Sequence, residues 1–130
     1  MGVRELLKIL LVEDDPSTVE MLKILLDLEG YEVVTTSHAK EVLTLLEKER
    51  PDILLMDFHL GQDDGIGVLR AIRRNPKVAD TPIVVVSGME CSWEAEKAGA
   101  DIFLLKPFGI DELLETLRKA MAQCRKSTGA

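Results

Sequence analysis

Residues 51–60 read PDILLMDFHL, and this stretch decides the fold. The apolar run from Ile53 to Met56 follows a proline and has the length and bulk of a strand that is buried on both faces. The run ends on a carboxylate, Asp57, and the turn signal Asp64-Gly65 follows before a new amphipathic segment begins. Asp57 is therefore expected where a central strand gives way to a loop, which is where open α/β sheets bind their ligands.

Apolar or β-branched segments alternate with amphipathic ones along the rest of the chain. The other predicted strands are Lys8 to Val12, Glu32 to Thr36, residues 83–86 and residues 102–105. The predicted helices begin at Pro16, after Ser37, at Gly65, within Met89 to Ala98 and at Asp111, the last ending at Cys124 with Leu113, Leu117, Ala120, Met121 and Cys124 inward. Alternating strands and helices predict a five-stranded, doubly wound α/β domain with a parallel sheet and helices on both faces. Strands 1, 3, 4 and 5 are apolar enough to be buried on both faces.

Local signals set several of the predicted helix ends. Asp15 before Pro16 is typical of an N-cap and a first helical position, so we interpret it as a cap and not as a metal ligand. Ser37 is the predicted N-cap of the second helix. Gly30 and Gly99 are expected to terminate the first and fourth helices.

Size and charge exclude several classes of protein. At 130 residues the chain fits one domain, with a core over about 5–124 and a polar tail at 125–130. The net charge of −7 argues against nucleic acid as a direct partner. No apolar run is long enough for a membrane span and no secretory signal is recognised, so a cytoplasmic location is expected. Cys91 and Cys124 lack metal-ligand spacing and are interpreted as reduced packing residues.

Polar side chains stand at the carboxyl ends of four apolar strands. Glu13-Asp14 follow the first strand, Asp57 the third, Ser87 the fourth and Lys106 the fifth. These ends share one edge of a parallel sheet, so three carboxylates, a hydroxyl and an amine should converge. Crowded carboxylates favour a cation, and oxygen ligands suit Mg²⁺. A metal, a lysine and a serine can stabilise a moving phosphoryl group, which the Asp57 carboxylate can accept as an acyl phosphate.

This combination resembles the receiver domain of bacterial two-component response regulators, the CheY-like fold. The resemblance covers about Glu5 to Cys124 and rests on Glu13-Asp14, Asp57 with Asp64-Gly65, Ser87-Gly88 and Lys106-Pro107-Phe108. It implies a flavodoxin-like sheet of order 2-1-3-4-5 and a phosphoacceptor signalling switch, not a turnover enzyme. It also implies a histidine kinase or histidine phosphotransfer protein as donor, and a downstream protein partner.

The resemblance assigns a role to each site residue. Asp14, Asp57 and the backbone carbonyl of His59 would hold Mg²⁺ (or Mn²⁺), with Glu13 acting through water, while Ser87 and Lys106 would hold the phosphoryl oxygens. Phe103 falls at the aromatic switch position that turns inward when the serine shifts. The Lys106-Pro107 bond is cis in this family. The His59 side chain would border the phosphoryl group, which gives the hypothesis that it tunes dephosphorylation.

The segment after Ser87 departs from the family pattern. The interval from Ser87 to Gly99 is about one helical turn short, so the fourth helix should be truncated, tilted or partly unwound, with Cys91 and Trp93 displayed there. In the family, helix 4, strand 5 and helix 5 form the surface that reports phosphorylation. We therefore hypothesise that signalling relies on a different face or on a specific partner, and oligomeric state stays open.

Two other classes of function are alternatives for this sequence. An aspartate-based phosphohydrolase would carry its usual general acid two residues after the nucleophile, where this chain has His59. A flavodoxin-like cofactor binder would need phosphate donors in the loop that Glu13-Asp14 occupies. The chain can also be a receiver fragment of a larger regulator or hybrid kinase.

Overall fold

A five-stranded parallel sheet forms the centre of the chain. The computed structural model describes residues 6–61 and 63–128. Within these residues the strands of the sheet are Lys8–Val12 (β1), Glu32–Thr36 (β2), Ile53–Asp57 (β3), Ile83–Ser87 (β4) and Ile102–Leu105 (β5). Their spatial order is β2-β1-β3-β4-β5, and every neighbouring pair is parallel. The predicted doubly wound fold is confirmed, with its switch point between β1 and β3.

Helices connect consecutive strands. The α-helices are Pro16–Leu28 (α1), Val42–Glu49 (α2), Gly65–Arg74 (α3), Ser92–Ala98 (α4) and Ile110–Thr128 (α5). A 3₁₀ turn at Ala39–Glu41 precedes α2, and a small antiparallel ribbon pairs His59–Leu60 with Asp63–Asp64 between β3 and α3. In the described part of the chain, no helix combines the length and the apolar character needed to span a membrane.

Alternate residues of each central strand face different helix layers. In β1, Leu10 and Val12 pack in a cluster with α2, α3 and α4, whereas Ile9 and Leu11 pack with α1 and α5. Burial on both faces explains why β1, β3 and β4 are continuous apolar runs without polar alternation. β5 is the exception to the prediction, because it lies at the sheet edge and leaves Leu105 45% exposed.

Several helix ends follow their local signals. The Asp15 side chain caps α1 by accepting the Thr18 backbone N–H at 3.0 Å, as predicted. Gly30 and Gly99 both adopt positive φ just beyond the ends of α1 and α4. α3 begins at Gly65 with Asp64 as its N-cap.

Three predictions about helices and loops are wrong. Ser37 does not cap α2, because the Thr36 hydroxyl accepts the His38 N–H and donates to Glu41, so a 3₁₀ turn comes first. α5 continues to Thr128, four residues past Cys124, whose side chain lies outside the described residues.

The third wrong prediction concerns the segment before α4, where Cys91 was expected to be exposed. α4 is short, with seven residues, and Trp93 is 67% exposed, as expected. Cys91, however, is only 8% exposed, because it packs with Ala95 and Ala98 in the core under this helix.

Candidate functional site

The carboxyl ends of β1, β3, β4 and β5 bring the predicted site residues to one edge of the sheet. Asp57 and Ser87 are the last residues of β3 and β4, and Glu13 and Lys106 directly follow β1 and β5. The strands stay in register at this edge, since Asp57 pairs with Val86 and the Lys106 N–H donates to the Ser87 carbonyl at 2.8 Å. Parallel pairing therefore places residues from four separate segments side by side.

A lysine and two buried carboxylates form the centre of the site. The Lys106 ammonium lies 2.7 Å from Asp57 Oδ2 and 3.4 Å from Glu13 Oε1. Asp57 is 7% exposed and Glu13 is 3% exposed, so both carboxylates are withdrawn from water. Salt screens an ion pair in such a setting only weakly. Removing one of its charged groups would leave the other charge buried without a partner, which destabilises the fold.

Burial and mutual repulsion shape the titration of this cluster. Burial raises the pKa of Glu13, and the adjacent Asp57 raises it further, while the Asp15 backbone N–H and Lys106 oppose the shift. Burial alone would lower the pKa of Lys106, but the hydrogen bond and charge of Asp57 hold it above its usual value. Lys106 is therefore an ammonium at neutral pH, and it offsets the negative charge of the two acids.

The backbone after β3 fixes the orientation of Asp57. The His59 N–H donates to Asp57 Oδ1 at 2.8 Å, so the two carboxylate oxygens have separate partners. The next residue, Phe58, is tied to β4 by its N–H bond to the Val86 carbonyl at 2.9 Å. Gly65 packs so closely on Phe58 that a Cβ at Gly65 would lie 2.5 Å from the Phe58 carbonyl oxygen.

Asp14 and Asp15 have different surroundings. Asp14 is exposed, and its Oδ2 lies 3.8 Å from the position of a Cβ built on Gly61, so its carboxylate faces the loop after Asp57. Asp15 is committed to the α1 cap through Thr18, which lowers its pKa. The structure thus confirms the predicted cap at Asp15, and the metal role of Asp14 stays a prediction.

The predicted metal ligands were also tested against the geometry. Among the described residues, no three His, Cys, Asp or Glu side chains form a group that could hold a metal ion. The predicted direct ligands are only two carboxylates, Asp14 and Asp57, with the His59 backbone carbonyl, because Glu13 is expected to act through water, so the prediction does not require such a group. Two crowded carboxylates with a third acid facing the same loop offer only oxygen ligands, and this donor chemistry fits Mg²⁺.

Ser87 lies beside this centre, and Phe103 lies on the neighbouring edge strand β5. Ser87 is 1% exposed, and its Oγ accepts the Met89 N–H at 3.0 Å. Phe103 is half-buried and packs against the core cluster beneath α4. Burial raises the pKa of the Cys91 thiol, four residues after Ser87. The Lys106–Pro107 peptide bond is cis, as the resemblance implied.

Residues 9–118 match the response regulator receiver domain family. The chain belongs to this family. Among solved structures, the chemotaxis response regulator CheY4 of Vibrio cholerae has a TM-score of 0.82 at 29% identity, covering 89% of this chain and 99% of that one. The receiver domain of the sensor histidine kinase PA1611 from Pseudomonas aeruginosa, with a magnesium ion coordinated in its active site cleft, has a TM-score of 0.82 at 29% identity, covering 91% and 99%.

Curated relatives of this receiver domain are longer proteins. The transcriptional regulatory protein ZraR of Salmonella typhimurium is 36% identical over 129 residues, which are 98% of this chain and 29% of the relative. The transcriptional regulatory protein KdpE of Mycobacterium tuberculosis is 34% identical over 125 residues, which are 94% of this chain and 53% of the relative. Since both relatives are named transcriptional regulators, the absence of a direct nucleic acid partner stays a prediction.

Family membership confirms the resemblance found in the sequence. The chain is a receiver domain of two-component response regulators, which are regulatory phosphoacceptor domains, and not a member of the phosphohydrolase or flavin-binding classes. One contact of the site was missed by the sequence analysis. The Gly65–Phe58 contact had a signal, since glycines at 65 and 67 are unusual in the first turn of a helix.

Proposed function

We propose that this receiver domain accepts a phosphoryl group on Asp57 from the phosphohistidine of a histidine kinase or phosphotransfer protein. The observation that carries the proposal is the ion pair of buried Asp57 with the half-buried Lys106, 2.7 Å apart. In the reaction, a carboxylate oxygen of Asp57 bonds to phosphorus as the bond from phosphorus to the donor nitrogen breaks. The imidazole leaves with the electron pair of that bond, and an acyl phosphate remains on Asp57.

Each neighbour of Asp57 contributes to this transfer. Lys106 is held at the carboxylate and can follow the developing charge on the phosphoryl oxygens. Ser87, at the end of the adjacent strand, can donate its hydroxyl proton to another of these oxygens. Asp14, Asp57 and the His59 carbonyl would hold Mg²⁺ or Mn²⁺, with Glu13 acting through water, and the ion would supply positive charge to the phosphoryl group when bound.

A protein donor is supported by the surface beside the site. A cavity of about 240 Å³ opens next to Asp57 and Lys106, and its walls are mostly apolar, including Met21, Pro107 and Phe108. Met21 is 52% exposed on α1, so the apolar surface extends outward from the acceptor. Such a surface suits a partner helix that brings its phosphohistidine over the carboxylate.

The proposed output is a change in a partner-binding face, in the cytoplasm. Exposed apolar side chains lie close to Ser87 in the chain or in the sheet, namely Met89 and Leu105, and Trp93 is exposed in the first turn of α4. A seven-residue α4 makes a specific downstream protein a better candidate for this output than a dimer of two copies that pair through helices 4 and 5. A beryllofluoride-activated sample that dimerises through those helices would contradict this part of the proposal.

Mass spectrometry after treatment with acetyl phosphate and Mg²⁺ tests the central step. We expect the wild-type chain to gain one phosphoryl group and Asp57→Asn to gain none. Asp27→Asn, which changes an exposed acid on α1, is the matched control and should be modified like the wild type. An unmodified wild-type chain, or equal modification of Asp57→Asn, would overturn the proposal.

A further inference from the structure

Asp101 joins the start of β5 to the start of β4 by two hydrogen bonds. Its backbone N–H donates to the Ile83 carbonyl at 2.9 Å, and its side-chain Oδ2 accepts the Ile83 N–H at 2.7 Å. Both bonds form only when residue 101 lies opposite residue 83, so they select one register of the two strands. In that register the pairing continues to the site, where Leu105 lies opposite Ser87.

Arg73 lies in the last turn of α3 and holds the Asp101 carboxylate in place. Its Nη2 lies 3.0 Å from Asp101 Oδ2. The other guanidinium nitrogens donate to backbone carbonyls, Nε to Gly99 at 2.9 Å and Nη1 to Ala79 at 2.8 Å and Thr81 at 2.7 Å. Because these carbonyls fix the guanidinium, the carboxylate cannot turn away from β4 without losing a charge-assisted hydrogen bond.

β5 depends on such an anchor more than the other strands of the site do. Within the described sheet it has four residues and pairs with β4 at the edge, whereas β1, β3 and β4 each lie between two strands. Lys106 directly follows β5, five residues after Asp101, and its ammonium lies 2.7 Å from Asp57 Oδ2. A slip of one residue would move Lys106 by about 3.3 Å and turn the side chains of β5 to the opposite faces of the sheet. The contact between Lys106 and Asp57 would then be lost.

We infer that Asp101 is a positioning residue that sets the register of β5 and so places the Lys106 ammonium at Asp57. The inference rests on the proposed function, in which Lys106 follows the charge that develops on the phosphoryl oxygens. Asp101 lies at the opposite end of β5 from Lys106, so it acts through the strand. A connection of this kind between distant residues changes binding at a site by about three- to thirtyfold.

Asp52 provides a matched control, because it makes the same two bonds at the start of β3. Its N–H donates to the Lys8 carbonyl at 2.8 Å, and its Oδ2 accepts the Lys8 N–H at 2.7 Å. It also precedes a residue of the site, Asp57, by five positions. β3 is paired with both β1 and β4, however, so its register is fixed without Asp52. Asp52→Ala should therefore destabilise the fold as Asp101→Ala does, but leave binding at the site unchanged.

Binding of the phosphoryl mimic beryllofluoride is titrated in the presence of Mg²⁺ on the full chain and followed by ¹⁹F NMR. We expect Asp101→Ala to bind about three- to thirtyfold more weakly than the wild type, and Asp52→Ala to bind as the wild type does. A glutamate keeps the charge but is one methylene too long to make the same two bonds. The pair Asp101→Glu and Asp52→Glu should therefore differ in the same way, and it replaces the alanine pair where an alanine variant does not fold.

Amide hydrogen exchange tests the register itself at the far end of β5. The Lys106 N–H, which donates to the Ser87 carbonyl at 2.8 Å, should lose protection in Asp101→Ala and keep it in Asp52→Ala. Equal dissociation constants of these two variants would overturn the inference, as would a Lys106 N–H that stays protected in Asp101→Ala. Beryllofluoride binding by the wild type, with none by Asp57→Asn, would leave the proposed function standing in either case. A wild type that does not bind beryllofluoride would contradict the proposed function, and hydrogen exchange would still decide the register.

Discussion

Gly65, the first residue of α3, packs against Phe58 in the loop that follows Asp57. Replacing Gly65 with alanine tests how tightly that loop is packed. A Cβ at this position would lie 2.5 Å from the Phe58 carbonyl oxygen and 2.8 Å from Phe58 Cδ1. Neither atom can give way freely, because Phe58 is buried and its N–H is bonded to β4. Gly65→Ala must therefore shift Phe58 or the start of α3, and Asp57 is the residue next to Phe58.

The size of the effect follows from two opposing contributions. Overpacking of this kind costs about 1–3 kcal/mol, and replacing glycine by alanine in a helix returns about 0.5–1 kcal/mol. We expect Gly65→Ala to lower the free energy of unfolding by about 1–2 kcal/mol. Gly67 is the matched control, since it is exposed in the same helix and its added Cβ would meet nothing closer than 3.7 Å. Gly67→Ala should raise the free energy of unfolding by about 0.5–1 kcal/mol.

Urea denaturation of the two variants measures this difference. With a slope of about 2 kcal/mol per molar urea, the midpoint of Gly65→Ala should lie ~1 M below that of Gly67→Ala. Phosphorylation of Gly65→Ala by acetyl phosphate should also be slower, by about tenfold, because the Asp57 carboxylate is displaced. A midpoint for Gly65→Ala at or above that of Gly67→Ala would refute the reasoning, since the close contact would then have no cost.

Other predictions concern the acids and the histidine at the site. Burial raises the pKa of Glu13, so the folded state binds the Glu13 proton more tightly than the unfolded state does. In EDTA, the free energy of unfolding of the wild type should therefore fall relative to that of Glu13→Gln as pH rises above 4.5. Urea titrations in which the two proteins show the same pH dependence would contradict this. Asp15→Ala should cost about 1 kcal/mol of stability but leave the phosphorylation rate unchanged, whereas Asp14→Ala should do the reverse; urea titration and phosphorylation assays of both distinguish cap from ligand. Replacing His59 should change the lifetime of the acyl phosphate between about pH 5 and 8, and an unchanged decay would end that hypothesis.

Sequence reasoning succeeded where a short stretch of chain determines its own structure. The strand from Ile53 to Asp57 was predictable because it is buried on both faces and so needs an unbroken apolar run. The cap at Asp15 was predictable because it needs only the next few backbone N–H groups. The convergence of Asp57 and Lys106 followed from parallel pairing alone, although the two residues are 49 positions apart.

Predictions failed where neighbouring segments compete. Ser37 has the chemistry of a cap, but the Thr36 hydroxyl captures the His38 N–H first, and no local rule ranks the two. Cys91 seemed displayed because the segment is short, yet the short helix turns it toward the core. Leu105 looks like its buried neighbours in sequence, and only its edge strand, with one partner, leaves it exposed.

The ion-pair cluster has a consequence for the protein during its synthesis. Lys106 lies 93 residues after Glu13 and 49 after Asp57, so the acids leave the ribosome long before the lysine does. A nascent chain that ends before β5 holds two crowded acids without their ammonium and lacks the edge that completes the sheet. On the proposed function, we expect Asp57 of such a chain to accept a phosphoryl group only after Lys106 has been synthesised and paired with it.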